Sequence, residues 1–524
     1  MQIKSLLLSL VSTFFISTLA WAQYADDAVL FSQDYTNGTA RFKAMGNAQT
    51  ALGGDMSAIS GNPAGLGFYS QSDIGISLDY MNHLNKTGFM GNNNSVSAGR
   101  FAVSQVGVVF HLPNHRLDAA NLSEGWLNFN IGIQYDRHND YLRQQRYSGI
   151  NPNNSIVNNY VDQMYLNPSS QFADDIYGMY LAEELEGNPN DFFPVVRENA
   201  DKTQNGDLDR AGNKSRINLA FGANYSNKIY IGGSLGLTTV KYRKYDYFDE
   251  LNGMTKSIDE IKSYNPDSPL ADPSAPEFDF VEASYDLYDD FEQDVEGSGI
   301  DMTLGLLYKP TPDLNLGFTF TSPTWMTIQE DGYDGREVHY YDSADDTEPF
   351  ESFEGYGDEF SYEYNIITPL KLAAGVSKLF NSGLISADIE FVDYSKTKFK
   401  TLSEQRDTQL EDDNNNDIKS LYKSAVNLRV GGEYKFDPVF SGRAGFNYYG
   451  NPYKNADQDH FLISAGLGAK LNSSLYLDLA VTHTLYNYSL NAYTLDEEHW
   501  DSPSPIINVD NNRTNVILTL GAKF

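Results

Sequence analysis

The last ten residues alternate. Val516, Leu518, Leu520, Ala522 and Phe524 share one parity, and Asn515, Thr519, Gly521 and Lys523 share the other, with Ile517 the exception. An apolar/polar period of two puts successive side chains on opposite faces of a β-strand. The pattern recurs. Leu475, Leu477, Leu479 and Val481 alternate with Tyr476, Asp478, Ala480 and Thr482. Val426, Leu428, Val430 and Tyr434 alternate with Asn427, Arg429, Gly431 and Glu433, and Leu127 to Tyr135 with Asn128 to Gln134. Fourteen segments read this way: 72–82, 100–112, 126–138, 214–226, 228–244, 297–309, 313–328, 358–378, 383–396, 421–436, 439–450, 459–471, 474–488 and 513–524. One face is apolar and the other carries full charges. A soluble sandwich could share this pattern strand by strand; a membrane barrel puts the apolar face to lipid and the charges into its lumen.

The connections favour the barrel. Tight turns are expected at Ser226-Asn227, Pro310-Thr311-Pro312, Asn381-Ser382, Asp437-Pro438 and Asn472-Ser473, built from residues that favour turns. Long connections are expected over 139–213, 245–296, 329–357, 397–420 and 489–512, with an amphipathic helix near Phe172 to Leu185. Long loops at one end and short turns at the other are the outer-membrane arrangement, and an even strand number lets an antiparallel barrel close. The chain therefore reads as all-β: a 14-stranded antiparallel transmembrane β-barrel with an N-terminal lumenal hatch.

Both ends agree with export. Lys4, the apolar run Leu6 to Leu19 and Ala20-Trp21-Ala22 form a signal-peptide pattern over 1–22, with Gln23 as the mature start. Residues 23–71 would be the hatch and 72–524 the barrel. Terminal Phe524 resembles the insertion signal of bacterial outer-membrane barrels, which the barrel-assembly machinery reads during biogenesis. The mean hydropathy of -0.45 rules out a polytopic helical membrane protein. The 30 Phe and 36 Tyr supply too much core-forming material for disorder. The absence of cysteine excludes disulfide frameworks, thiolate metal sites and cysteine nucleophiles.

A net charge of -34 argues against a nucleic-acid partner, which needs a basic face. Much of the charge is local. Residues 247–296 carry 15 acidic and 2 basic side chains, and 329–363 carry 13 and 1. They read as solvated outer loops that oppose aggregation. The run Asp412 to Asp417 lacks the sixth-position Gly of a calcium loop and has Lys423 where the bidentate Glu belongs, so no metal site is assigned. No cofactor is expected. His339 lies near Asp334 and Asp342, and His483 between Thr482 and Thr484, with no spacing that catalysis demands, so the chain does not read as an enzyme.

Residues 23–71 are small and glycine-rich without forming a linker, and a segment this short cannot build its own core. It must pack on something, and a lumen is the available cavity. The segment runs through Ala44-Met45-Gly46, Ala48, Ala51, Asp55, Ser57-Ala58-Ile59 and Asn62-Pro63-Ala64-Gly65-Leu66. This resembles the hatch motif of FadL-type outer-membrane transporters of hydrophobic compounds. Gly317 to Pro323 and Thr368-Pro369-Leu370-Lys371 ahead of Gly375 are similar to two further motifs of that family. The resemblance implies passive transport of small hydrophobic molecules, fatty-acid-like or aromatic. Ligand would be captured at the third and fourth outer loops, pass to a lumenal pocket and leave laterally into outer-membrane lipid through an opening at a kink in strand three. No Pro marks that kink in 126–138. The matching loops are the two acidic stretches, which would repel anionic fatty acids unless cations intervene, so the ligand class is written as hydrophobic compounds. Capture would fall to the apolar residues retained there: Phe278, Phe280, Val281, Tyr285, Leu287, Tyr288 and Phe291. Asp388, Glu390, Arg429, Glu433, Arg443 and Asp478 have lumenal parity and are expected to form a polar network holding the hatch. A general porin with a polar lumen, or a surface adhesin, are the alternatives.

Overall fold

In the computed structural model, which describes residues 22–35, 38–114, 124–403, 406–455 and 459–524, fourteen antiparallel strands close on themselves. The expected leader over 1–22 lies outside the described residues except for Ala22. The strands are β1 (Asp73–Phe89), β2 (Asn92–Pro113), β3 (Trp126–Asp140, resuming as Arg143–Asn151), β4 (Lys202–Tyr225), β5 (Ile229–Met254), β6 (Ser284–Thr311) and β7 (Leu314–Thr321 and Trp325–Tyr341). They continue as β8 (Glu351–Ile367 and Lys371–Phe380), β9 (Gly383–Asp393 and Lys398–Thr401), β10 (Ser424–Lys435), β11 (Phe440–Tyr449), β12 (His460–Lys470), β13 (Leu475–Asn491) and β14 (Ile506–Lys523). The ladder between β1 and β14 runs from Asp73 opposite Lys523 to Gly88 opposite Asn508 and closes the wall. Every expected segment falls on one of these strands.

Burial is inverted relative to a soluble protein. Ile463 is 53% exposed and Ile389 49%, while Asn218 and Asn130 on inward parity are fully buried. An apolar exterior over a polar interior is stable only where lipid replaces water. Among the described residues no helix is long and apolar enough to cross a membrane, and the apolar belt is carried by the strands. Replacing Ile463 with Arg should cost ~2–4 kcal/mol near the bilayer midplane, read as a lowered denaturation midpoint of the refolded protein in lipid.

The expected tight turns are present, and Ser226 and Asn227 both take positive φ, as a two-residue hairpin turn requires. The expected long connections need correction. Residues 83–99, between the first two expected strands, are a β-hairpin that turns at Met90-Gly91, and 245–254, 284–296, 329–341 and 351–357 are continued strand. β6 has 28 residues, whereas a tilted membrane strand needs ~9–11. The upper parts of β4 to β8 therefore stand clear of the membrane. Outside lipid both faces of a strand are polar, so the period of two disappears from the sequence while the ladder persists. Over the outer end, α3 (Ile156–Leu166), α4 (Gln171–Gly178) and α5 (Ile258–Tyr264) join these extensions in a cap with its own core around Tyr160, Met164, Ile176, Leu181, Tyr285 and Tyr340. The helix expected over Phe172 to Leu185 ends at Gly178, because the chain turns at Tyr180 with positive φ and enters a short hairpin at Ala182.

The two proline motifs have a structural meaning. Proline has no N–H to give a ladder. Ser322-Pro323-Thr324 interrupts β7 and Thr368-Pro369-Leu370 interrupts β8 at neighbouring positions. Thr324 N donates to Thr368 Oγ1 at 2.8 Å and Thr368 N to Thr324 O at 3.1 Å, which restores pairing across the double break.

Candidate functional site: a filled lumen and a gap in its wall

Residues 38–71 fold as short turns with local caps. Thr39 Oγ1 accepts from Phe42 N and starts α2 (Ala40–Ala44). Asp55 accepts from Ser57 N at 2.9 Å and from Thr39 Oγ1, and starts the turn Met56–Ile59. Asn62 accepts from Ala64 N at 3.1 Å and donates to Thr50 O at 2.6 Å, with Pro63 at the first position of the turn Pro63–Phe68. Gly46 and Gly54 take φ of +62° and +73°, a region that suits glycine. The Asp and Asn of the motif are thus caps, and its glycines are turn residues.

This segment lies inside the barrel and bonds to the wall all round. Ala40 N donates to Thr519 Oγ1 at 2.7 Å on β14, Gly46 N to Ser464 Oγ at 3.1 Å on β12, and Thr50 N to Asp388 Oδ2 at 2.8 Å on β9. Ala51 O accepts from Asn315 and Ser377, and Asn130 on β3 donates to Leu66 O. Met45, Ala48 and Leu66 are buried, and Gly65 packs with its would-be Cβ 2.9 Å from Ala58 Cβ. Ile517, the exception in the last strand, packs with Ala40, Ala44 and Ala480. It is apolar on the inner face because the segment, not water, lies against it.

The six charged lumenal residues divide into three groups. Arg41 Nε donates to Glu433 Oε2 at 2.9 Å, Arg443 Nε donates to the same oxygen at 2.7 Å, and Arg443 also pairs with Asp478. Asp388 holds Thr50. Glu390 accepts from Arg429 at 2.7 Å and Asn427 at 2.8 Å within the wall.

Sequence reasoning missed the glycines of the inner wall. A Cβ on Gly431 would sit 1.9 Å from Met45 O; on Gly317, 1.9 Å from Thr50 O; on Gly445, 2.1 Å from Gly46 N; on Gly232, 2.3 Å from the Pro63 carbonyl carbon. Backbone approaches backbone at each of these strands, and only hydrogen fits. Glycine at lumenal parity on successive strands was a legible signal.

Above this segment α1 (Ala22–Ser32) fills a chamber. Ala25, Ala28, Val29 and Phe31 are fully buried against Tyr141, Tyr242, Ile328, Tyr364, Phe399 and Tyr422. Asp34, in the link to α2, is held by Lys214 at 2.7 Å, by Lys371 and by His138 at 3.7 Å. Burial alone would raise its carboxyl, but Lys214 and Lys371 hold it well below the usual carboxylate range.

Among the described residues, two interruptions of the wall lie beside the chamber. The β2–β3 ladder runs from Pro113 opposite Asn128 to Gln105 opposite Asp136 and stops. Beyond the break at Tyr141-Leu142, the second part of β3 moves inward and pairs only with β4. Its carbonyls at Gln144, Arg146 and Ser148 accept from the side chains of Asn85, Thr87 and Asn92 instead of from a neighbouring main chain. Asn92 to Ser104 of β2 thus has β1 on one side and no ladder partner on the other. Arg100 bridges the gap, donating to Gly212 O at 3.2 Å and lying 3.6 Å from Asp140. A cavity of about 40 Å³ opens here beside Lys43, Ala102, Ser104 and Arg137, and one of about 180 Å³ lies deeper beside His83, Arg143, Tyr486 and Arg513. β3 thus breaks at Tyr141-Leu142, just beyond the stretch 126–138. The second gap is at β8, whose ladder with β9 ends at Tyr364 opposite Thr401.

The expected capture residues are not one surface. Phe280, Tyr285 and Leu287 are buried in the cap core, Phe278, Val281 and Tyr288 are half-buried at its margin, and Phe291 faces inward near the second gap. His339 bonds to Glu337, and His483 Nδ1 lies 2.9 Å from Thr514 Oγ1. Asp412 to Asp417 lies inside the helix α6 (Thr408–Leu421). Phe524 exchanges main-chain hydrogen bonds with Ser72 at the inner rim.

A plugged, closed, lipid-facing barrel of fourteen strands is an outer-membrane protein by construction. The family model described as "Outer membrane protein transport protein (OMPP1/FadL/TodX)" matches residues 279–523. Among solved structures, a Pseudomonas aeruginosa FadL homologue is 13% identical with a TM-score of 0.53, over 94% of this chain and 99% of that one. The Pseudomonas putida toluene transporter TodX is 14% identical with a TM-score of 0.49, over 94% and 99%. The Ralstonia pickettii toluene transporter TbuX is 16% identical with a TM-score of 0.47, over 93% and 99%. No curated protein matches the chain. Residues 279–523 thus match a family of outer-membrane transport proteins, the fold over the whole chain is that of the FadL homologue, and the protein belongs to the bacterial outer membrane.

Proposed function

We propose that this barrel carries small hydrophobic molecules, aromatic or fatty-acid-like, passively across the outer membrane and releases them sideways between β2 and β3. The observation that carries the reading is the interrupted β2–β3 ladder beside a lumen filled by residues 22–71. An apolar molecule gains nothing from a water-filled pore whose polar walls cannot solvate it. A side exit lets it pass from a protein chamber to lipid without meeting bulk water. Leaving backbone groups unpaired in a bilayer is costly, and here side-chain donors from β1 and β2 offset that cost on the β3 side, which keeps the gap stable without closing it.

The second gap suits entry. Phe291 and Phe360 stack at 6.0 Å, Phe360 and Tyr362 at 5.6 Å, and Tyr362 meets Tyr24 of α1 edge-on at 6.0 Å. Tyr24 in turn touches Tyr364 and Phe399 at 5.2 Å, inside the chamber. A planar apolar ligand can exchange one ring contact for the next along this path. Of the seven capture candidates, Phe291 is the one on it. Arrival in the chamber requires α1 to give way, and departure requires Arg100 to release Asp140. The remaining hatch residues keep the lumen closed to water during both steps.

Ala102→Trp places an indole in the small cavity at the exit while leaving the β1–β2 ladder intact. Uptake of a radiolabelled aromatic hydrocarbon by cells carrying this variant should fall at least tenfold, with unchanged heat-modifiable mobility of the folded barrel. Wild-type uptake with the exit filled would assign release to another route and sink the lateral reading.

A further inference from the structure

The helix α1 is apolar where it faces the chamber, yet it carries two acids, Asp26 and Asp27, into it. Asp27 is 6% exposed and Glu330 on β7 is 1% exposed. One donor serves both: Gln293 Nε2 on β6 donates to Asp27 Oδ2 at 2.8 Å and to Glu330 Oε1 at 2.9 Å. The other Glu330 oxygen accepts from Tyr364 OH at 2.9 Å. We propose that Asp27 and Glu330, bridged by this single amide, form a proton-dependent latch that holds α1 in the chamber and releases it as pH rises. The proposal rests on the reading that ligand needs the space α1 occupies, and it names what regulates that space.

The groups facing Asp27 are mostly acids and phenols. On α1 itself the neighbours are Tyr24 and Asp26, and Asp26 takes the hydroxyl of Tyr422 at the end of α6. β3 contributes Tyr141, β8 contributes Tyr364, and β5 contributes Tyr242 and Lys244. Asp417 on α6 adds a further acid towards Asp26. Lys244 is the cation that acts on Asp27, Asp26 and Glu330 together, and it is shared further, 3.5 Å from Asp246 Oδ2 and over the Phe291 ring at 4.5 Å. Two buried carboxylates beside one another cannot both ionise at low cost, so one keeps its proton. Burial first, and the charge of Glu330 second, push the Asp27 carboxyl up to about 7.

The sign follows from linkage. A released α1 exposes Asp27 to water, where it ionises near the ordinary value of 3.8. The docked state therefore binds one more proton between roughly pH 4 and pH 7. Docking is fully favoured below that window, weakens steadily through it and is constant above it. From pH 5 to pH 7.5 the docking equilibrium should shift by up to about 100-fold.

The natural chain has no cysteine, so a single introduced thiol reports on α1 alone. Val29→Cys puts one in the fully buried face of α1, and Ser343→Cys puts one in the exposed β7–β8 turn as the reference for thiol ionisation. In the full-length refolded barrel, the methanethiosulfonate labelling rate at position 29, divided by that at 343, should rise at least tenfold from pH 5 to pH 7.5. Asp27→Asn in the Val29→Cys background should keep the rate low and flat. This substitution lies in α1, outside the wall, so the barrel itself should still assemble. Glu330→Gln, which keeps an acceptor for Gln293 and removes the opposing charge, should make the rise smaller and end it at lower pH. A flat ratio in the parent, or a rise that Asp27→Asn leaves unchanged, overturns the latch. Labelling is independent of uptake, so failure of the latch and failure of the transport reading remain distinguishable.

Discussion

Deleting residues 23–71 should turn a nearly silent barrel into a large, steady conductor. In a planar bilayer the refolded mature protein is expected to show conductance at least tenfold below that of the deletion variant. The physical reason is the continuous seal. The segment bonds to β3, β7, β8, β9, β12 and β14, and its backbone touches wall glycines so closely that no side chain could intervene. Ions have no path through such contacts, while a lumen emptied of residues 23–71 is lined by charged and amide side chains and would fill with water. Gly431→Val gives the point-mutation form of the same result: its methyls would overlap Met45 O, so the seal on β10 must open and conductance must rise without deletion. Full-length protein that already conducts like an open pore, with no change on deletion, would put the porin reading in place of this one.

Glu433→Ala should produce the largest loss of stability from a single lumenal side chain. Arg41 of the hatch and Arg443 of β11 both donate to Glu433, and Glu433 is 8% exposed. Removing one partner of a buried ion pair costs ~3–5 kcal/mol because the remaining charge is left without compensation. Arg443 keeps Asp478, so the expected cost is about 3 kcal/mol, the lower end of that range. Arg41 has Asp55 at 3.9 Å, a weaker hold, so the hatch should loosen first. Two readouts separate these effects: the urea midpoint of the barrel in detergent, and the rate of proteolysis within residues 38–71. Glu433→Gln retains acceptor oxygens and should lose less on both. Equal stability of all three proteins would show that the network contributes nothing to holding the hatch.

The acidic stretches take on a definite place in this architecture. Most of them are upper positions of β5 to β8 and the turns that join them, above the apolar belt, with Glu250 and Glu330 turned inward and buried. Lys241 and Arg243 pair with Glu296 and Asp294 there at 2.7 Å, both highly exposed. Such pairs add little stability in water. The charge keeps a tall, strand-rich cap soluble and discourages its edges from pairing with other chains.

Much of this molecule was legible because the information is local. Period two assigns each lipid-facing residue without knowledge of its partner, since lipid asks only that one side of every strand be apolar. The five short turns were marked by Asn, Asp, Pro and Ser, whose conformational preferences act within two or three residues. The hatch segment stood out because caps and turn glycines act over the same range: Asp55 bonds two residues ahead, and Asn62 likewise. Charges on lumenal parity pointed inward for the same reason that arginine cannot face lipid cheaply.

What failed, failed where the deciding neighbour is distant in sequence. The strand extensions of β5 to β8 were hidden because a strand wet on both faces has no hydrophobic period, and only pairing defines it. β3 leaves its ladder at Tyr141-Leu142 with no proline to announce it; side chains of Asn85, Thr87 and Asn92, from other strands, receive it. Ile517 broke its own pattern because Ala40 and Ala44, nearly five hundred residues earlier, press against it. Glu433 and Arg443 could be assigned to the lumen from parity, but their meeting with Arg41 depends on how the first segment is threaded through the finished barrel. The sequence by itself determined a fourteen-stranded lipid-facing barrel with a packed N-terminal segment. Only the tertiary structure decided where the wall opens, that α1 fills the chamber, and which charges meet, because register and threading are properties of paired strands and not of any one of them.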